Sequence, residues 1–327
     1  MADAITLVSD MKVYDAEFNA GVFEALFLNT NIFNGASGNA VILNTQVHPG
    51  NYLKKAYFSR TAGLVARQNL ASTAAVDSLK MAQVEEAAVK VHRRIGPIQW
   101  TDKAFNMAGI ETPGGSFTLG RQVGDAVLAD MVSTAVIALN AAVAGAGSLT
   151  NDITAAATKT ANIAAFLATK AKWGDQFNGL AASILHSKPF FDLQADGLNY
   201  SALESVAGSI IQGNQKNVLG PMVIVDDANL VNAGAPNTYN TLLLKAGACI
   251  LRQSELQKIV IQTHVGNEQL LIEMQGEYAV TVGIDGMTWD VTNGGANPDN
   301  TALAVSTNWD KVRTDVTGLP FAKLLSQ

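Results

Sequence analysis

The densest chemistry in the sequence is the stretch Val89 to Trp100, VKVHRRIGPIQW, which packs Lys90, His92, Arg93 and Arg94 into five residues. Such a cluster suits phosphate binding, or ion pairing with a surface that carries carboxylates. Other candidates are thinner. Asp226-Asp227 close the apolar run VLGPMVIVDD, where a pair of acids could do proton transfer or simply cap a turn. His186-Ser187 has the residue types of a base and a nucleophile, but sequence neighbours rarely face each other, and Ser187 reads better as a helix cap. Glu85-Glu86, on the way into the basic stretch, read as a solvated or interface pair.

The remaining reactive types argue against catalysis. Cys249 is the one cysteine and sits in the apolar run LLLKAGACIL, so it reads as a buried thiol and leaves no disulfide framework or cysteine cluster for zinc. His48, His92, His186 and His264 are far apart, with no two at ligand spacing on one element. The sequence contains no glycine-rich phosphate loop, no His-Glu-x-x-His and no Gly-x-Ser-x-Gly. The expectation is a protein with no catalytic residues, no cofactor and no metal.

The elements that would position these groups follow from periodicity. From Asp15 an amphipathic helix carries Phe18, Val22 and Leu26 at every fourth position and runs out at Asn34-Gly35. Its aromatic face, with Phe18 and Phe23, needs either the protein's own core or a neighbouring subunit. Residues 48–104 lack strong core periodicity and read as a protruding hairpin, with Lys54 and Lys55 on its first limb. On the second limb, Lys90, His92 and Arg94 share one face of a strand, and Arg93 shares the other with Val89, Val91 and Ile95. Gly96-Pro97 bends or ends that strand.

Ser116 reads as the N-cap of a long helix reaching Ala144, a rod of about 40 Å. Within it, Met131–Gly147 is apolar but short of a membrane span. A second helix is expected over Ile153–Lys172, a strand at LAASILHS, and a helix capped by Ser187. Further strands are expected at VLGPMVIVDD, YNTLLLKAGACILRQ and KIVIQTHV, then two longer ones across LLIEMQGEYAVTVGIDGMTWDV. The tail reads as loop-like, with a last strand at LPFAKLL. This is α+β of mixed order.

At 327 residues, 48% hydrophobic and 15% charged, the chain can bury a large core. Its net charge of −6 argues against a dedicated nucleic-acid binder. The N-terminus shows no signal peptide. The charge is unevenly spread: −4 over residues 1–47, +5 over 48–104 and −7 over 105–327. A basic arm on an acidic body suits self-association, because each arm can lie across an acidic neighbour.

The order of these parts resembles the major capsid protein of tailed double-stranded DNA bacteriophages, the Hong Kong 97-like fold, over essentially the whole chain. The words that carry it are FNGASGNAVIL, AAVKVHRRIGPI, HSKPFFDL, QGEYAVTVGIDGMTWD and NPDNTALAVSTNWDKV. The resemblance implies an α+β phage major-capsid fold. Its parts would be an N-terminal arm (1–45), an extended β-hairpin loop (46–104) and a peripheral domain with a long spine helix (105–150). An α/β axial domain (151–264) and return strands with a C-terminal tail (265–327) would complete it. It also implies a structural protein that assembles as pentamers and hexamers into an icosahedral shell around packaged double-stranded DNA, without reading its sequence. Assembly would fall in the host cytoplasm. A separate scaffolding protein and a portal are the implied partners, with a decoration protein as a further candidate and no membrane.

On that mapping the intersubunit contact candidates are Lys90, His92, Arg93, Arg94, Lys54, Lys55, Glu85, Glu86, Phe18 and Phe23, with Arg93 able to reach an acid in its own subunit instead. Some members cross-link Lys to Asn; Lys80, Lys90, Asn293, Asn297 and Asn300 have the residue types, and no cross-link is assigned. The alternatives are an encapsulin-like nanocompartment, which would dock cargo near Phe18 and Phe23, and an α/β enzyme using Asp226 or Asp227.

Overall fold

The computed structural model describes residues 8–58, 64–68, 70–101, 103, 112–204, 222–224, 228–264, 271–313 and 315–327. Asp226 and Asp227 lie outside them. The fold is organised around one helix, α2, Thr112–Ala146. It starts before the expected cap: the backbone is already helical at Thr112, with Pro113 in the first turn, where a missing N–H costs nothing. In its first half only a stripe is covered, at Val123, Val127 and Met131. From Thr134 to Leu139 every residue is buried. By length and composition this helix could cross a membrane, yet 61% of the apolar window is buried inside the protein's own fold.

The first half of α2 packs on α1, Val8–Ala36. Glycine makes the approach close. A Cβ at Gly120 would collide with the carbonyl oxygen of Phe18, and one at Gly124 would stand 2.8 Å from Cβ of Ala25. Phe18, Val22 and Ala25 are buried in that crossing. Each such large apolar side chain removed from water stabilises the fold by about 1.5–3 kcal/mol.

Two sheets enclose the second half of α2. The first has the order β1-β9-β10-β3-β2, formed by β1 (Val41–Thr45), β2 (Tyr52–Phe58), β3 (Gln83–Thr101), β9 (Cys249–His264) and β10 (Leu271–Ile284). β1 runs parallel to β9, and the other pairs are antiparallel. β3 does not end at Gly96-Pro97. Gly96 takes a positive φ of 73° beside the Met274 carbonyl, β10 shifts register there, and pairing resumes to Thr101.

The second sheet contains β4 (Thr150–Asp152), β5 (Leu180–Leu185), β6 (Met222–Ile224), β7 (Val231–Asn232), β8 (Thr238–Lys245) and β13 (Phe321–Ser326). The expected boundary at residue 264 therefore falls inside the first sheet, between the paired strands β9 and β10. The C-terminal strand β13 joins the other sheet, against β8. Cys249 is fully buried at the start of β9, and burial pushes its thiol up to about 12, so it is inert packing.

Smaller departures have local causes. The helix expected over 153–172 shortens to α3, Ile163–Ala171, because Asn162 caps it by accepting from the Ala165 N–H at 2.7 Å. α4 spans Ser187–Glu204, so its cap is His186, whose Nδ1 accepts from the Lys188 N–H at 3.1 Å. The tail holds a short helix, α5 (Asn300–Ala304), and a two-stranded sheet of β11 (Met287–Trp289) and β12 (Trp309–Lys311). Trp289 and Trp309 meet there edge to face.

Candidate intersubunit surface

β3 changes partner at Val89. From Gln83 to Val89 it pairs with β2, and from Val89 to Thr101 with β10. The basic cluster lies in the second stretch, inside the body of the subunit, and not on the protruding limb where the sequence suggested it.

On the face turned to α2, Arg93 is only 20% exposed and ties four elements together. Its Nε lies 3.1 Å from Oδ2 of Asp130 on α2. Its Nη2 donates to Oγ1 of Thr134 at 3.1 Å and to Oδ1 of Asn300 at 2.6 Å. Tyr278 on β10 donates its hydroxyl to the same Asp130 oxygen at 2.7 Å. Burial and the neighbouring Asp130 charge raise the Tyr278 phenol well above its usual value, so it stays a donor.

On the opposite face, Lys90 is 3% exposed. Its ammonium donates to Oε1 of Glu255 at 2.6 Å and to the His48 carbonyl at 3.2 Å. The hydrogen bond from Lys90 holds the Glu255 carboxyl below its ordinary range, and His92 approaches the other oxygen at 3.7 Å. Further along, register sets Arg94 opposite Glu277 and Glu277 opposite Lys258, and His264 meets Glu273 at 2.7 Å. His92, Arg94, Glu255, Lys258, Glu273 and Glu277 line an open groove of about 560 Å³.

The outer stretch is different. Lys54 pairs with Glu85 at 2.6 Å, both more than half exposed, a contact worth about 0–1 kcal/mol. Lys55 sits opposite the half-buried Glu86, which accepts from the Gly286 N–H at 2.7 Å and whose carboxyl is raised by burial. Beyond the strands, Leu64, Val65, Leu70 and Val76 are 73–95% exposed.

Two candidates, Phe18 and Lys90, are thereby corrected, and Arg93 takes its alternative, an acid of its own subunit. Phe18 is 1% exposed inside its own core, and Lys90 and Arg93 hold partners in their own subunit, so none offers surface to a neighbour. His92, Arg94, Lys54, Lys55, Glu85 and Phe23 are exposed and Glu86 is half-buried. Asp130, Tyr278 and Glu255 went unnoticed, because single polar residues in apolar stretches announce nothing until a partner is known. Phe27 had a signal: it falls one turn after Phe23, and both are about 70% exposed.

A helix enclosed by two sheets, one of them drawn out into an open hairpin with apolar residues in water, is the build of a subunit that completes itself against others. Solved structures with a similar fold include phage capsids. A structure from Mycobacterium phage Bobi matches with a TM-score of 0.53 at 11% identity over 89% of this chain and 90% of that one. The cyanophage Pam1 capsid matches with 0.52 at 10% identity over 85% of each. The capsid of Helicobacter pylori bacteriophage KHP30 matches with 0.50 at 13% identity over 89% of each. No curated protein matches the chain at a significant level. Residues 10–319 match the family described as Gp13-like, major capsid protein 13-like, and the chain belongs to that family. It is a structural shell protein, and not an enzyme.

Proposed function

We propose that copies of this chain assemble as pentamers and hexamers into an icosahedral shell enclosing double-stranded DNA, with the hairpin of residues 46–88 laid across the adjacent copy. The observation that supports this is the run of exposed apolar residues beyond β2 and β3. Leu64, Val65, Leu70 and Val76 gain nothing in water, and an isolated two-stranded hairpin is marginal until its face is covered. Laid on a neighbour, the segment reaches interface scale, above about 1,000 Å². Closure multiplies contacts that are individually weak.

The remaining assignments extend that reading. Residues 1–45 serve as the arm, α2 as the spine of the peripheral region, and the β5–β8 sheet as the axial region. A scaffolding protein and a portal act in assembly in the host cytoplasm, and a decoration protein can bind outside. The net charge of −6 keeps the wall from gripping the nucleic acid it holds. Electron microscopy of particles from the purified protein tests the proposal. Closed shells with fivefold and sixfold capsomers are the expected result. Shells filled with protein cargo support the nanocompartment, and a monomer at all concentrations overturns the reading.

A further inference from the structure

Arg252 is a largely buried cation that makes no hydrogen bond among the described residues and has the Glu86 carboxylate as its charged neighbour. It lies on β9, between Asn44 of β1 and Thr281 of β10, and is 6% exposed. Its guanidinium crosses β10 at Gly283, where an added Cβ would stand 3.4 Å from Nη1, so the missing side chain opens the path. The path ends in a cleft of about 60 Å³ at the hairpin root, edged by Lys55, Glu86 and Asp285. Asp285 is engaged by Arg313 at 2.9 and 3.1 Å, and Glu86 accepts from Gly286. Among the described residues, Arg252 makes no hydrogen bond and no ion pair. Burial lowers the Arg252 guanidinium and raises the Glu86 carboxyl, the mark of charges short of solvation. A guanidinium has five N–H donors, and those of Arg252 open into the cleft, where an incoming acceptor can reach them.

We propose that this cleft is a carboxylate-docking site, filled by an acidic side chain of a second copy of this chain. Its volume admits a carboxylate and leaves no room for a nucleotide. Lys55, Arg252 and Arg313 against Glu86 and Asp285 leave one positive charge in excess, and a forked guanidinium suits a carboxylate. The acids are at hand, since residues 1–47 and 105–327 carry net charges of −4 and −7. The inference rests on the shell-forming role.

The test is Arg252→Met in the full chain. The unassembled variant is expected to melt no lower than the wild type, because an apolar side chain of similar length replaces a desolvated charge that makes no hydrogen bond. The subunit concentration needed for shells should rise about tenfold or more. A lower melting temperature would assign the arginine to its own fold, and unchanged assembly would remove it from the interface; either overturns the proposal. Shells of Arg252→Lys, mixed from light and heavy isotope-labelled subunits and treated with a carbodiimide, supply the second readout. The introduced amine should join carboxylates across copies, and links confined to one copy overturn the second-copy source. Phosphate or acetate raising the melting temperature of unassembled wild type, and not of Arg252→Met, would assign the cleft to a free anion instead. Failure of the wild type to form shells would remove the underlying role and is seen before any variant is compared.

Discussion

From Val89 to Thr101, β3 is held by β10, with Val89 and Val91 at 0–1% exposure and Arg93 bound into α2 and the tail. From Gln83 to Ala88 the same strand pairs in the sheet only with β2, β11 covers its inner end at Ala87, and past Phe58 and Gln83 lie apolar residues in open water. Both stretches are rich in charge, and only their surroundings differ. Where charges find partners inside the subunit they fix its own geometry. Where apolar groups find none they are left for another copy. Substitutions should therefore separate cleanly into those that unfold the subunit and those that stop assembly.

The strongest way to break that contrast is to shorten the hairpin, replacing residues 64–82 with Asn-Gly so that seven residues join Phe58 to Gln83. The subunit should keep its melting temperature, since those residues contribute little to its core, while shell formation seen by light scattering is lost. A large loss of subunit stability would mean that the loop belongs to the body.

Next in size are two paired comparisons by urea denaturation. Phe18→Ala should cost about 3–5 kcal/mol, because it empties the α1–α2 crossing, whereas Phe23→Ala on the exposed face should stay within about 0.5 kcal/mol. Arg93→Ala should cost about 2–3 kcal/mol by leaving Asp130 without its cation, and Arg94→Ala, one residue along, about 0.5 kcal/mol or less. Equal effects at residues 93 and 94 would erase the two-faced reading of β3.

Much of the fold was legible in the sequence because periodicity reports burial directly. Leu119, Val123, Val127 and Met131 announced α2, and the period-two split of Val89–Ile95 gave the two faces of β3 correctly. Partners were not legible. Nothing in VKVHRRIGPIQW tells that its cations meet Asp130 and Glu255, which lie 37 and more residues away. The stretch looked like an arm for the same reason, since a strand's neighbour is set by topology. Arg252 was hidden among apolar residues, and its meaning depends on Gly283, which only the paired strands bring beneath it.

The smallest expected effect, and the sharpest check on the inner stretch, is acid sensitivity at Glu255. Its carboxyl sits below the ordinary 4.5 because Lys90 donates to it, with lesser contributions from His92 and His48. A depressed folded value means the stabilisation is fully present above the unfolded value and is lost as pH falls through the folded one. Glu255 is 47% exposed, so water screens part of the gain, yet its partner Lys90 is almost fully buried. Glu255→Gln should therefore lower the melting temperature at neutral pH and flatten its decline below about pH 4.5. The wild type should instead approach the variant as the carboxyl takes up its proton. An unaltered acid limb in the variant would show that the Lys90 pair contributes nothing, and that apolar packing alone holds the body half of β3.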